Sequence, residues 1–131
     1  MGTDPELKEN IIRDIFLKLG YEVGEETAFR IGNGRSSLKF DLLVKKAHRT
    51  YAVEIKRFGG KRYLHPEALE PFVNAVDTLL ETSAKPVLVT DREVLTNAAQ
   101  EYLLKKNILL LDKTRIGKMI LGEDVLKGLD K

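Results

Sequence analysis

Apolar and polar residues recur along this chain with two different periods, and the changes of period mark the predicted elements. Between Glu6 and Leu19 apolar residues recur every three or four positions, the spacing of an amphipathic helix. Asp4-Pro5 is a favourable helix start and Gly20 a common helix end, so the first helix is predicted to lie between them. Tyr21 to Ile31 then predicts an extended segment.

Two runs rich in β-branched and aromatic residues follow, Leu38 to Lys45 and Thr50 to Phe58. Only the stretch from Lys46 to Arg49 separates them. The two runs therefore predict a β-hairpin with a loop of about four residues.

The second half of the chain alternates helical patterns with short continuous apolar runs. Helical spacing recurs from Pro66 to Ser83 and from Glu93 to Lys106, and a last helix is predicted from about Arg115. Pro86 to Thr90 and Ile108 to Leu111 are continuous runs, typical of strands covered on both faces. The predicted order is αβββαβαβα, which implies an α/β fold with a mixed β-sheet flanked by helices.

The composition indicates one globular domain over residues 1–131. Hydrophobic residues make up 43% and charged residues 32%, which excludes a disordered chain, and no apolar run approaches the length of a membrane span. Cysteine is absent and there are two histidines, so disulfides, thiolate metal sites and multi-histidine zinc sites are excluded. The start lacks the layout of a secretory signal, so the expected location is the cytoplasm.

The charge distribution is uneven although the net charge is only +2. Residues 35–62 hold nine basic residues and only two acidic ones, Asp41 and Glu54, a local excess of seven positive charges. A positive surface of this kind attracts a polyanion such as DNA, whereas the alternative is a solvated Lys/Arg face without a partner. The nine basic residues are Arg35, Lys39, Lys45, Lys46, Arg49, Lys56, Arg57, Lys61 and Arg62.

The two isolated acids become neighbours if the hairpin pairs Lys45 with Thr50. Asp41 then lies opposite Glu54, and like charges so placed are destabilising unless one is protonated or a cation lies between them. Lys56 is two residues beyond Glu54 and therefore shares its face. The pattern favours a divalent-metal site with a lysine beside it, and the alternative is a surface hairpin with cross-strand ion pairs.

A further carboxylate comes from the first helix. Projected at about 100° per residue, Glu9 falls beside Phe16 at the edge of the apolar stripe, whereas the other acids of this helix lie well away from it. Glu9 is therefore the candidate third carboxylate, and an ordinary boundary glutamate is the alternative.

These residues occur in an order and spacing that resembles the PD-(D/E)XK nuclease superfamily, and most closely its Mrr-like (type IV) restriction endonucleases. Five features look like those of that branch: the glutamate before a Gly-Tyr, the aspartate strand, the E-x-K-R strand, the strand that ends in threonine, and the closing strand. The matching segments are Glu9 to Tyr21, Phe40 to Val44, Ala52 to Arg57, Val87 to Thr90 with Asn97 to Ala99, and Leu109 to Asp112.

The resemblance implies a restriction-endonuclease-like fold and a metal-dependent endodeoxyribonuclease of restriction or DNA-repair type. Asp41 and Glu54, with the carbonyl of Ile55, would hold Mg²⁺ or Mn²⁺, and Glu9 would complete the metal shell. Lys56 would orient or deprotonate the attacking water. The implied substrate is DNA.

Arg57, Lys61 and Arg62 follow the lysine strand around Gly59-Gly60 and are the candidate phosphate contacts. Solvation is their alternative role. Three other interpretations of the chain stay open: a Holliday-junction-type resolvase, a non-catalytic nucleic-acid-binding module on the same fold, and a protein-interaction scaffold. A homodimer or a partner subunit that supplies specificity fits the first two. No phosphate-binding glycine motif for a nucleotide cofactor is present.

Overall fold

The structure is a computed structural model that describes residues 8–24, 27–31, 36–56, 65–77, 84–90 and 95–129. The helices are α1 (Glu9–Lys18), α2 (Pro66–Asp77), α3 (Asn97–Lys105), α4 (Lys113–Ile120) and α5 (Val125–Leu129). The strands are β1 (Glu22–Gly24), β2 (Thr27–Ile31), β3 (Ser36–Phe40), β4 (Leu42–Lys46), β5 (Arg49–Ile55), β6 (Lys85–Val89) and β7 (Leu109–Leu111).

Helix α1 buries the apolar stripe that its sequence predicts and ends near Gly20, as predicted. Gly20 has a φ of 90°, a conformation that glycine adopts without strain, and the Tyr21 amide donates to the Phe16 carbonyl at 3.0 Å. The first helical residue is Glu9, preceded by an extended Lys8 that makes no side-chain cap. The predicted start at Asp4-Pro5 lies outside the described residues.

The β4–β5 hairpin has the predicted register, with Lys45 opposite Thr50. Its loop is shorter than the predicted four residues, because Lys46 and Arg49 still pair across the ladder and only Ala47 and His48 connect them. Ala47 accordingly takes a left-handed φ of 55°, which two-residue hairpin loops commonly require.

The single strand predicted from Leu38 to Lys45 is divided at Asp41. β3 pairs with β2 in a two-stranded antiparallel sheet, whereas β4 pairs with β1 and β5 in the main sheet. The predicted extended segment from Tyr21 to Ile31 likewise forms two strands, β1 and β2. The described chain therefore has five strands before α2 instead of three, because the backbone leaves the main sheet after Gly24 and re-enters it at Asp41.

The main sheet has the order β1-β4-β5-β6-β7 and is mixed, as the sequence predicts. The first two pairings are antiparallel and the last two, β5 with β6 and β6 with β7, are parallel. Val87, Leu88 and Val89 of β6 are all fully buried, which agrees with a strand covered on both faces.

Two apolar cores lie on opposite faces of this sheet. The first joins side chains of α1, α4 and α5 to Tyr51 and Val53, and the second joins α2 and α3 to Ala52. Because side chains alternate along a strand, Glu54 and Lys56 follow Ala52 onto the α2/α3 face. This placement decides which helices can reach the candidate site.

The remaining helices differ from the sequence predictions mainly at their ends. Thr96 caps α3 by accepting from the Ala99 amide at 3.1 Å, so this helix begins later than the predicted Glu93. Asp112 caps α4 in the same way through the Arg115 amide at 2.8 Å, and a separate short helix, α5, follows. None of the described helices has the length and apolar character needed to cross a bilayer.

Candidate active site

The open end of the β4–β5 hairpin brings an aspartate, a glutamate and a lysine to one place. Asp41 occupies the bend between β3 and β4, and its Oδ2 accepts a hydrogen bond of 2.7 Å from the Ile55 amide. Ile55 lies between Glu54 and Lys56 in the chain, so this bond fixes Asp41 to the segment that carries the other two side chains. All three side chains are partly exposed.

The carboxyl groups of Asp41 and Glu54 lie within reach of a hydrogen bond to each other when one of them is protonated. Burial, this hydrogen bond and the Asp41 charge raise the pKa of Glu54 from 4.5 to about 8, and the charge of Lys56 and a backbone hydrogen bond from Ile55 offset only part of the rise. Without a cation, the pair therefore holds a proton at neutral pH. The sequence-based expectation of two carboxylates that need a proton or a cation between them agrees with this geometry.

Lys56 follows β5 directly and its backbone continues the pairing with β6, since its amide donates to the Val89 carbonyl at 3.0 Å. Its ammonium lies 5.6 Å from the centre of the Phe72 ring, a cation–π distance. Phe72 belongs to α2, so this helix supplies the wall of the site on the Lys56 side. The ammonium also contributes an attractive charge near Glu54.

Glu9 is the first residue of α1, and it is exposed. The buried residues of α1 pack in the core on the other face of the sheet from Glu54 and Lys56. Within the described ranges, no three His, Asp or Glu side chains are grouped closely enough to hold a metal ion. The structure thus places Asp41 and Glu54 together but does not place Glu9 beside them. The role of Glu9 as a third ligand stays a prediction.

Part of the basic segment serves a structural network at the far end of the hairpin. Asp124, between α4 and α5, accepts from Arg49 at 3.1 Å, from Lys46 at 3.4 Å and from the Tyr21 hydroxyl at 2.8 Å. Lys46 also donates to the Leu19 carbonyl at 2.6 Å. Arg49 and Lys46 therefore bind groups within the protein. Fewer of the nine basic residues are left for the predicted DNA-binding surface.

The candidate phosphate contacts Arg57, Lys61 and Arg62 lie outside the described residues, so their role stays a prediction. Sequence reasoning assigned no role to Phe72 or Asp124, because each acts through partners distant in the chain that no local pattern reveals. The Asp124–Arg49 pair, for example, is separated by 75 positions.

The fold is restriction-endonuclease-like. It has a mixed sheet with helices on both faces, and a carboxylate pair and a lysine lie at the end of two adjacent strands. The model of the Mrr-type catalytic domain family, described as restriction endonuclease, matches residues 3–120. The chain belongs to this family of restriction-endonuclease-type domains.

A solved structure also resembles this chain. It is the crystal structure of a protein of unknown function, AF1548, with a TM-score of 0.61 and 12% sequence identity, covering 82% of this chain. The match spans 62% of the other chain, so this chain covers less than two thirds of that protein. This likeness shows the fold. No curated protein sequence matches the chain.

Proposed function

We propose that this protein is a metal-dependent endonuclease that hydrolyses phosphodiester bonds of DNA. The observation that carries the proposal is the closeness of the Asp41 and Glu54 carboxyl groups at the open end of the hairpin, with Lys56 two residues beyond Glu54. Family membership supports the reaction class, and the carboxylate pair supports the dependence on a divalent cation.

The donor set fits Mg²⁺ or Mn²⁺. Mg²⁺ is typically bound by one or two carboxylates together with substrate phosphates and water, and carboxylate oxygens are hard ligands that suit both ions. Asp41 and Glu54 would hold the ion, with the Ile55 carbonyl as a third oxygen and Glu9 as a further ligand on the substrate-bound protein. A divalent ion bound there supplies a Lewis acid that stabilises negative charge on the scissile phosphate.

The side chains themselves have distinct tasks. The Ile55 amide orients the Asp41 carboxylate, so the ligand geometry is set before a cation arrives. With a cation bound, Glu54 would give its proton to solvent and act as a carboxylate. Lys56 orients the attacking water and offsets the charge that develops on the phosphate in the transition state.

The DNA backbone is expected to meet the site near Lys56, and Arg57, Lys61 and Arg62 follow Lys56 in the sequence. Guanidinium and ammonium groups bind phosphates without reading sequence, so these residues would position DNA.

The test is cleavage of supercoiled plasmid DNA and of a four-way DNA junction, with Mg²⁺, with Mn²⁺ and with EDTA. Glu54→Gln is the matched control, because the amide has the shape of the protonated carboxyl and keeps a hydrogen bond to Asp41 while losing the charge. We expect metal-dependent cutting by the wild-type protein and none by the variant.

Metal-independent binding of DNA with no cutting of either substrate would contradict the proposal and favour a non-catalytic nucleic-acid-binding module. Cutting confined to the junction would place the activity with resolvases, and nicking of the plasmid would place it with general endonucleases. Full activity of Glu54→Gln would remove the carboxylate pair from the mechanism.

A further inference from the structure

Thr90 carries a buried hydroxyl that the mechanism above does not use. The residue is 0% exposed, and its Oγ1 has no hydrogen-bond partner within the part of the chain that the structure describes. Hydroxyl groups buried in proteins almost always have partners, because leaving them unpaired is energetically unfavourable. An unpaired buried hydroxyl of this kind indicates a hydrogen bond that forms in another state of the site, such as the ligand-bound state.

The position of Thr90 relates this hydroxyl to Lys56. Ile55 pairs with Val89 in the parallel ladder, so the residues that follow them, Lys56 and Thr90, lie side by side at the ends of β5 and β6. The Lys56 amide donates to the Val89 carbonyl at 3.0 Å and the Thr90 amide to the Leu111 carbonyl at 3.1 Å. The first bond holds the ends of β5 and β6 at strand spacing, about 4.8 Å, and the second holds the end of β6 to β7.

The hydroxyl also lies on the correct face. Leu88 belongs to the core under α2 and α3, and Thr90 is two residues beyond it on the same strand. Glu54 pairs with Leu88 in the ladder, so Glu54, Lys56 and Thr90 all belong to this face. Threonine is β-branched and its χ1 angle is restricted, which limits how far the hydroxyl can turn away.

The Lys56 ammonium can donate to a further acceptor. Its neighbour is the Phe72 ring at 5.6 Å, which attracts the charge but accepts no conventional hydrogen bond. An ammonium has three N–H donors, whereas a hydroxyl oxygen has two lone pairs. A donor group and an unpartnered acceptor group thus lie on adjacent strands of one site.

We propose that Thr90 is a positioning residue for Lys56: its hydroxyl accepts an N–H of the ammonium when the site binds its cation and DNA. This bond holds the ammonium beside the end of β6 and draws it away from Phe72. The inference rests on the proposed nuclease function for its catalytic consequence, but not for the hydrogen bond itself.

Two substitutions separate the hydroxyl from the shape of the side chain. Thr90→Val keeps the β-branched shape and removes the hydroxyl, and Thr90→Ser keeps the hydroxyl. Because Val removes an unpaired polar group, the Thr90→Val protein should fold with a melting temperature equal to or above that of the wild type. Its kcat should fall about tenfold, the loss expected for one hydrogen bond to a charged group, with KM for DNA unchanged.

Thr90→Ser should keep kcat within about threefold of the wild-type value, because its hydroxyl can still accept from the Lys56 ammonium. A purely structural role for Thr90 predicts the opposite pattern, with stability changed and kcat unaffected. A wild-type kcat in Thr90→Val overturns the inference.

A second measurement does not depend on cleavage. The Lys56 ammonium resonance is observed by ¹H–¹⁵N NMR in the full protein with Mg²⁺ and a DNA duplex, and is assigned by its disappearance in Lys56→Met. Its proton exchange with water should be several-fold slower in the wild type and Thr90→Ser than in Thr90→Val. Equal exchange in all three proteins overturns the inference even if DNA is cut.

The two measurements also separate the inference from the proposed function. A wild-type protein that cuts no DNA but shows the Thr90-dependent protection refutes the nuclease proposal and supports the hydrogen bond. The opposite result is that the wild-type protein cuts DNA and that Thr90→Val cuts equally well and exchanges its Lys56 protons at the same rate. This result refutes the hydrogen bond and leaves the nuclease proposal standing.

Discussion

Asp41 accepts a 2.7 Å hydrogen bond from the backbone amide of Ile55, the residue between Glu54 and Lys56. This bond stands where the antiparallel ladder of β4 and β5 has ended, since the last ladder pair is Leu42 with Val53. A side chain therefore continues the strand pairing in place of the backbone. The bend that divides β3 from β4 follows from the same contact.

Replacing Asp41 separates its structural task from its chemical one. Asp41→Ala leaves the Ile55 amide without its acceptor and should lower the free energy of unfolding by about 1–3 kcal/mol. Asp41→Asn retains a carbonyl oxygen that can accept from Ile55, so its loss should be clearly smaller. Urea denaturation of the three proteins measures both effects. Equal stability of the two variants would contradict a structural role for the Ile55 bond.

Replacing Lys56 should separate cleavage from DNA binding. Lys56→Ala should abolish metal-dependent cutting because the water and the developing charge lose their positive partner, while affinity for DNA stays close to that of the wild type. Lys45→Ala is the matched control, since Lys45 is exposed on β4 near the opposite end of the hairpin. Plasmid nicking and fluorescence anisotropy with labelled duplex measure the two properties. Undiminished cutting by Lys56→Ala would contradict the proposed role.

Hydrophobic periodicity was sufficient to predict the mixed sheet but only to restrict the register of the hairpin. The alternation of Tyr51 and Val53 with Ala52 and Glu54 excludes a shift of one residue and allows a shift of two, so Lys45 opposite Thr50 was accessible from sequence as one of the allowed registers. The two-residue loop was not, because Ala47-His48 lacks the glycine or asparagine that usually marks such a turn.

The break at Asp41 could not be predicted either. The run from Leu38 to Lys45 has uninterrupted strand propensity, and the bend depends on the tertiary bond to Ile55. The sequence predicted that Asp41 and Glu54 would meet and would need a proton or a cation between them, but it did not decide between the two. The place of Phe72 beside Lys56 depends on how α2 packs, which no local pattern encodes.

Asp124 should contribute stability that depends on pH. Burial opposes its ionisation, but hydrogen bonds from Tyr21 and Arg49 outweigh burial and lower its pKa below the ordinary 3.8. A carboxyl with a depressed folded-state pKa stabilises the protein above its unfolded pKa, and this contribution is lost as the pH falls through the folded value. Asp124→Asn should therefore be less stable by about 1–3 kcal/mol at pH 7.

The difference between the two proteins should shrink as the pH falls below about 3.8, the unfolded-state value. Thermal unfolding at several pH values measures it, and a difference that stays constant in acid would contradict the role of the ionised carboxyl. Asp124 lies beyond the residues matched by the family model, which end at 120. DNA cleavage should be unaffected, because Asp124 contacts the turn end of the hairpin and not its open end.

The salt dependence of DNA binding should identify the residues that bind phosphates. Replacing Arg57, Lys61 and Arg62 together by Ala should reduce the slope of log K against log salt by up to about three, close to one for each phosphate that the variant no longer neutralises. The control is Lys46→Ala, whose ammonium binds Asp124 and the Leu19 carbonyl within the protein and should leave the slope unchanged. An unaltered slope in the triple variant would assign these residues to solvation.

Calorimetric titration of Mg²⁺ at pH 7 tests the central claim most directly, that Asp41 and Glu54 form one metal site. Because the pKa of Glu54 is raised to about 8 without a cation, Mg²⁺ should displace about one proton, detected as a dependence of the heat on the buffer's ionisation enthalpy. At pH 9 the release should nearly vanish and the affinity should rise. Glu54→Gln should bind Mg²⁺ more weakly and release no proton. Wild-type binding without proton release, or binding unchanged in Glu54→Gln, would contradict the claim.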